Sequence, residues 1–135
     1  MKIVRGYPPN FKQIAAAFPD AKGKGVIFTY GDTVYNPTGP SLSRGLQAHE
    51  AVHVERQLAF EGGAAAWWTN YIAEPHFRFT EEFQAHLAEF KAWRPNRIAG
   101  SRAGALHQIA LRLSGPLYGR VMDYGSASRL ILEAA

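Results

Sequence analysis

The string His49-Glu50-Ala51-Val52-His53 constrains the fold of this 135-residue chain more than any other stretch. It lies in the run 42–60, where Leu42, Leu46, His49, His53 and Phe60 recur at steps of three, four or seven. That is the period of one helix face, so the spacing predicts a helix whose two imidazoles point inward with the apolar residues. A buried imidazole pair needs polar partners or a metal inside the fold. One zinc ion serves both rings, because residues four apart on a helix share a face. Glu50 falls about 100° round from His49, where it can hold a water rather than ligate the metal. This is the pattern of metal-assisted hydrolysis. Composition alone gives roughly 0.01 such matches in a chain with 5 His. The plainer alternative is a pair of core histidines satisfied by hydrogen bonds, with Glu50 on a solvated face. Helix limits are readable on both sides. The entry Asn36-Pro37-Thr38-Gly39-Pro40 leads to Ser41 or Ser43 as N-cap, and Gly62-Gly63 supplies a stop.

A catalytic zinc takes three protein ligands and keeps one position open. A third histidine six residues after His53 would fall at Ala59, and the glycine expected between them falls at Arg56, so the compact three-histidine arrangement is absent. The chain has no cysteine, which leaves histidine and carboxylate as donors. The next source is a second helix over 80–93, where Phe79, Phe83, Leu87 and Phe90 form a stripe. Thr80 reads as its N-cap, with Glu81 and Glu82 in a first turn that favours anions. Glu82 is the expected third ligand. Ala85 follows it by three residues, and thermolysin-like zinc peptidases use a similar Glu-x-x-small pattern so that the helices can approach closely. Glu81, His86 and Glu89 are the alternatives. Hydrolysis also needs a donor for the developing oxyanion, for which Tyr71, Tyr118, Arg78 and His107 are candidates.

At this length one domain with a real core is expected, and 47% hydrophobic and 13% aromatic residues argue for a globular chain. No apolar run is long enough for a membrane span, and the first residues lack a secretion signal. The expected location is the cytoplasm or a phage particle. Charge is uneven: residues 91–135 hold Lys91, Arg94, Arg97, Arg102, Arg112, Arg120 and Arg129 against two acids. Such a segment could meet nucleic acid, an anionic envelope polymer or an acidic partner. Solvated helix faces are the favoured reading, because the arginines are dispersed and lack interleaved aromatics.

The remaining pattern predicts a mainly helical α+β domain over 1–135 with a small N-terminal antiparallel sheet. Residues 25–90 would form the catalytic core and 91–135 a basic helical extension. Strands are expected at 2–6, 25–31 and 32–36, with Gly31-Asp32 as a hairpin turn. A weak helix spans 10–18. Further helices span 64–73, 102–113 and 126–134, with Pro75 and Pro95 as breaks. Trp67, Trp68, Tyr71 and Ile72 suit core packing. The strand 32–36 precedes a proline and reads as an edge, so an extended peptide could pair with Thr33, Val34 and Tyr35 beside the metal.

These residues together resemble the minimal zincins of the gluzincin type. The likeness rests on Asp32–Tyr35, on Leu46-x-x-His49-Glu50-x-x-His53-Val54-x-x-Gln57, on Trp67, Trp68 and Tyr71, and on Arg78-Phe79-x-x-Glu82-x-x-Ala85. It covers roughly residues 25–90. Small phage and prophage proteins look like this, as do metallopeptidase-like modules of bacterial toxin and contractile-injection systems. The resemblance implies a zincin-like fold, one zinc per chain held by His49, His53 and Glu82, and Glu50 as general base. It implies less about activity: a phage context points to a peptide or cell-wall peptide as substrate and to phage virion proteins as partners. Gln84 departs from the pattern, since some relatives carry a second Glu there. The other class of function is a structural or interaction protein, such as a phage particle component, that keeps the fold without catalysis.

Overall fold

A computed structural model describes residues 1–94 and 100–135. Its elements run β1 (Lys2–Val4), α1 (Phe11–Ala17), β2 (Phe28–Tyr30), β3 (Thr33–Tyr35), α2 (Arg44–Ala59), α3 (Gly63–Ala73), α4 (Pro75–Ala92), α5 (Arg102–Leu113) and α6 (Tyr124–Ala134). Short 3-10 turns occupy Pro19–Lys22 and Pro116–Tyr118. The described residues are therefore mainly helical with a small sheet, which is an α+β arrangement. None of their helices is long and apolar enough to cross a membrane. The break expected at Pro95 lies outside the described residues.

The sheet is mixed rather than antiparallel, with strand order β1-β3-β2. β2 and β3 form the expected hairpin, while β1 joins β3 in parallel. A parallel neighbour requires a crossover, and here the chain passes through α1 and the following turn before it returns. One expectation is thereby overturned: Thr33, Val34 and Tyr35 do not form an edge. Val34 pairs with Ile3 on one side and Thr29 on the other and is fully buried, so no substrate strand can add to it.

Two apolar clusters flank the long helices. Ile14, Ala21, Phe28, Trp67, Trp68 and Tyr71 join the sheet to α1 and α3. Phe79, Phe90, Ile109, Leu113, Tyr118 and Ile131 join α4 to α5 and α6. α2 contributes to neither: its buried residues are His49, Glu50, His53 and Gln57, all polar. Leu42, Leu46 and Phe60, expected on the inward stripe, are only half-buried. α2 packs chiefly against α4. Ala85 is fully buried, and a side chain at Gly45 would meet Glu89, so small residues let the two backbones approach.

Helix ends follow local chemistry. Ser43 caps α2 by accepting from the N–H of Leu46. α4 begins at Pro75, five residues earlier than the acid-rich stretch suggests. Proline starts a helix well because its missing N–H has no partner in a first turn. Thr80 is not a cap; its hydroxyl donates to the His76 carbonyl inside the helix. Glu81 and Glu82 thus lie in mid-helix, where burial rather than the dipole governs them.

Gln57 anchors α2 to the sheet. Its amide oxygen accepts from the Gly31 N–H at 2.7 Å and its amide nitrogen donates to the Thr29 carbonyl at 2.9 Å. The side chain thereby imitates a neighbouring strand on the outer edge of β2. Replacing it by Leu leaves the Gly31 N–H without that partner. Gln57→Leu should cost about 1–3 kcal/mol, read as a lowered urea midpoint. An unchanged midpoint would show that water satisfies this edge equally well.

Candidate metal centre

Three side chains from α2 and α4 converge. His49 Nε2 lies 3.2 Å from Glu82 Oε2, and His53 Nε2 lies 3.3 Å from Glu82 Oε1. The two Nε2 atoms are 3.2 Å apart. Donors about 2.1 Å from a tetrahedral ion stand about 3.4 Å from one another, so the trio matches the spacing such an ion requires. All three residues are buried, and they lie close enough together to bind a metal ion. Among the alternatives, Glu81 turns away: its carboxylate accepts from Arg56 and from the Trp67 indole.

Glu89 and His86 build a layer behind the trio. Glu89 Oε1 lies 3.0 Å from His49 Nδ1 and 3.3 Å from His86 Nδ1. A carboxylate on the far nitrogen of a ligating imidazole fixes its tautomer and raises its basicity. His49, His86 and Glu89 are also mutually close enough to hold an ion. Tyr71 supports Glu82 from the other side, donating its hydroxyl to Oε1 at 2.7 Å. Burial pushes the Tyr71 hydroxyl pKa well above its usual value, so it remains a donor.

Glu50 is buried beside this cluster, not solvated. Its Oε2 accepts a 2.6 Å hydrogen bond from the Thr29 hydroxyl of β2. His49, Glu50, His53, Glu82 and His86 line one cavity of about 400 Å³, walled by apolar side chains from α1 and from residues 25–28. That volume is in the range of small-ligand sites. Tyr118 lines the same cavity, and burial raises its pKa well above the ordinary range.

Two candidate oxyanion donors lie elsewhere. Arg78 is buried, and its guanidinium donates to the carbonyls of Tyr71, Ile72 and Leu117, which ties α3 and the 116–118 turn to α4. His107 is exposed and hydrogen-bonded to the Tyr124 hydroxyl. Among the cavity residues that sequence reasoning missed are two polar ones, Thr29 and Arg112. Nothing in the linear pattern marks them, because each arrives from an element far from the motif. No protein-family model, curated protein or solved structure matches this chain.

The electrostatics favour a strongly held proton when no metal is bound. Burial alone would lower the pKa of His49, but its hydrogen bonds to Glu82 and Glu89 outweigh that and raise it to about 10. Burial would raise that of Glu82, yet the two histidines hold it well below the usual carboxylate range. An imidazolium and a carboxylate therefore face each other at neutral pH. A metal takes neutral imidazole, so binding must expel the His49 proton. Apparent zinc affinity should then rise about tenfold per pH unit between pH 6.5 and 8.5, as chelator competition would measure. A flat profile would mean that His49 is already neutral. Glu89→Gln should weaken zinc binding about 10–100-fold while the fold persists by circular dichroism.

Proposed function

We propose that this protein is a zinc-dependent hydrolase of peptide or amide bonds, built on a zincin-like scaffold. The observation that carries the reading is the buried Glu50 carboxylate beside a two-histidine, one-glutamate cluster, both opening on one cavity. Zinc suits two imidazoles and a carboxylate with one open position. The same donors serve non-heme iron. Glu50 favours hydrolysis, because oxygen chemistry requires no second carboxylate at that place.

A bound zinc would polarise the substrate carbonyl and acidify a water. Glu50 takes a proton from the attacking water and returns it to the leaving amine nitrogen. Thr29 donates to Oε2 and so fixes the carboxylate, leaving Oε1 for the water. Tyr71 and Glu89 position Glu82 and His49. Tyr118 is the best-placed oxyanion donor, because it reaches the cavity and burial keeps it protonated. The apolar walls exclude solvent from these groups.

The test separates holding metal from using it. Glu82→Ala should lose most of its zinc, measured by plasma mass spectrometry after zinc-replete expression. Glu50→Gln should keep about one zinc per chain and lose hydrolysis of a mixed peptide library. Tyr118→Phe should keep zinc and lower kcat about 10²-fold. Equal, negligible zinc in wild type and His49→Ala would sink the reading.

A second reading rests on the Thr29–Glu50 hydrogen bond, which ties β2 to α2. In a structural protein, such as a phage particle component, that bond is the whole purpose of Glu50. Glu50→Gln would then lower the melting temperature, and neither protein would cleave any peptide.

A further inference from the structure

Arg112 stands in the last turn of α5 and lines the metal cavity. Among the described lining residues it is the one Lys or Arg, and it is solvent-exposed. Its side chain makes no ion pair or hydrogen bond with any described residue. A cation at a helix C-terminus is favoured by the dipole anywhere on that turn, so the dipole does not explain why this side chain faces the cavity. The acids of the cavity do not claim it either. Glu82 is engaged by His49, His53 and Tyr71, Glu50 by Thr29, and Asp20 lies on the 19–22 turn without an ion pair to Arg112. The positive charge of Arg112 does reach the Tyr118 hydroxyl, whose pKa it lowers against the larger effect of burial.

We propose that Arg112 is the specificity residue of this site and binds a carboxylate of the substrate. The proposal rests on the hydrolytic reading above and narrows its substrate class. A guanidinium fork matches a carboxylate in two parallel hydrogen bonds. A cavity of about 400 Å³ is roughly 9 Å across if compact, and extended residues rise about 3.3 Å each. The carboxylate therefore lies within about three residues of the cleaved bond. It belongs either to the free C-terminus of a peptide or to an acidic side chain. Arg112 acts in binding, so its loss raises KM and spares kcat.

The experiment uses the full chain loaded with cobalt, whose absorption reports on ligands at the metal. The probes are hydroxamates carrying a terminal carboxylate two to four methylenes away, each paired with its terminal amide. Wild type should bind the best carboxylate about tenfold or more tightly than its amide, with the preference shrinking as salt rises. Arg112→Gln should abolish the preference and leave the affinity for the amide and the cobalt content unchanged. Arg112→Lys should restore part of it. Equal affinity of the paired probes in wild type would overturn the carboxylate anchor alone. Failure of both probes to perturb cobalt would sink the hydrolytic reading and the anchor with it. Competition by Ala-Ala-Ala, its C-terminal amide and Ala-Glu-Ala amide then distinguishes the sources. A terminal carboxylate makes the first the best competitor, an acidic side chain the third, and equality of all three contradicts the anchor.

Discussion

Everything in this fold is arranged around the meeting of His49 and His53 with Glu82. A helix that buries only His49, Glu50, His53 and Gln57 gains little from the hydrophobic effect, and isolated buried charges are costly. Most of the groups are tolerable because one completes another, while His53 Nδ1 and His86 Nε2 have no hydrogen-bond partner among the described residues. Glu82 accepts from both histidines and from Tyr71, and Glu89 takes the far side of His49. The apolar burial that drives folding comes from the clusters on either side. They hold the sheet, α1 and α3 on one side and α4, α5 and α6 on the other, and leave the polar α2–α4 seam as a cost that binding a metal could offset. The seam is thus a place where stability has been given up, which is the usual mark of a functional site.

The same logic explains the supporting contacts. Gln57 closes the outer edge of β2 and fixes the position of Thr29, which in turn holds Glu50. Arg78 gathers carbonyls from α3 and from the turn that carries Tyr118. Close approach matters there as well: Gly119 has φ +73°, and a Cβ on it would lie 2.6 Å from Pro75. Only glycine lets that turn settle against the start of α4 and bring Tyr118 over the cavity.

The two-histidine motif and its helix were legible because a 3.6-residue period needs no tertiary knowledge. Glu82 was legible for a related reason: it shares α4 with Ala85, whose small size permits close helix approach. What failed to show was non-local. The start of α4 was misread because Thr80-Glu81-Glu82 imitates a capped first turn, whereas Pro75 at the first position already begins the helix. β3 was misread as an edge because its parallel partner, Lys2–Val4, is remote in sequence and exposed along its length. Arg78 looked catalytic, since nothing nearby announces that one of its carbonyl partners lies 39 residues later.

The basic C-terminal region illustrates how charge counts divide once structure is known. Arg102 stacks over the Phe90 ring at 4.4 Å, and Arg94 donates to the carbonyls of Lys91 and Trp93, while Arg97 lies outside the described residues. These are local satisfactions that require no polyanion. Arg112 differs from them in kind. It lines the cavity that His49, His53 and Glu82 also line, and it forms no ion pair with a carboxylate among the described residues. A single cation on the wall of the cavity raises the local potential there for one more anion. A net charge of +4 is therefore a poor guide to partners in this chain; the position of one arginine relative to the His49–Glu82 seam says more than the sum.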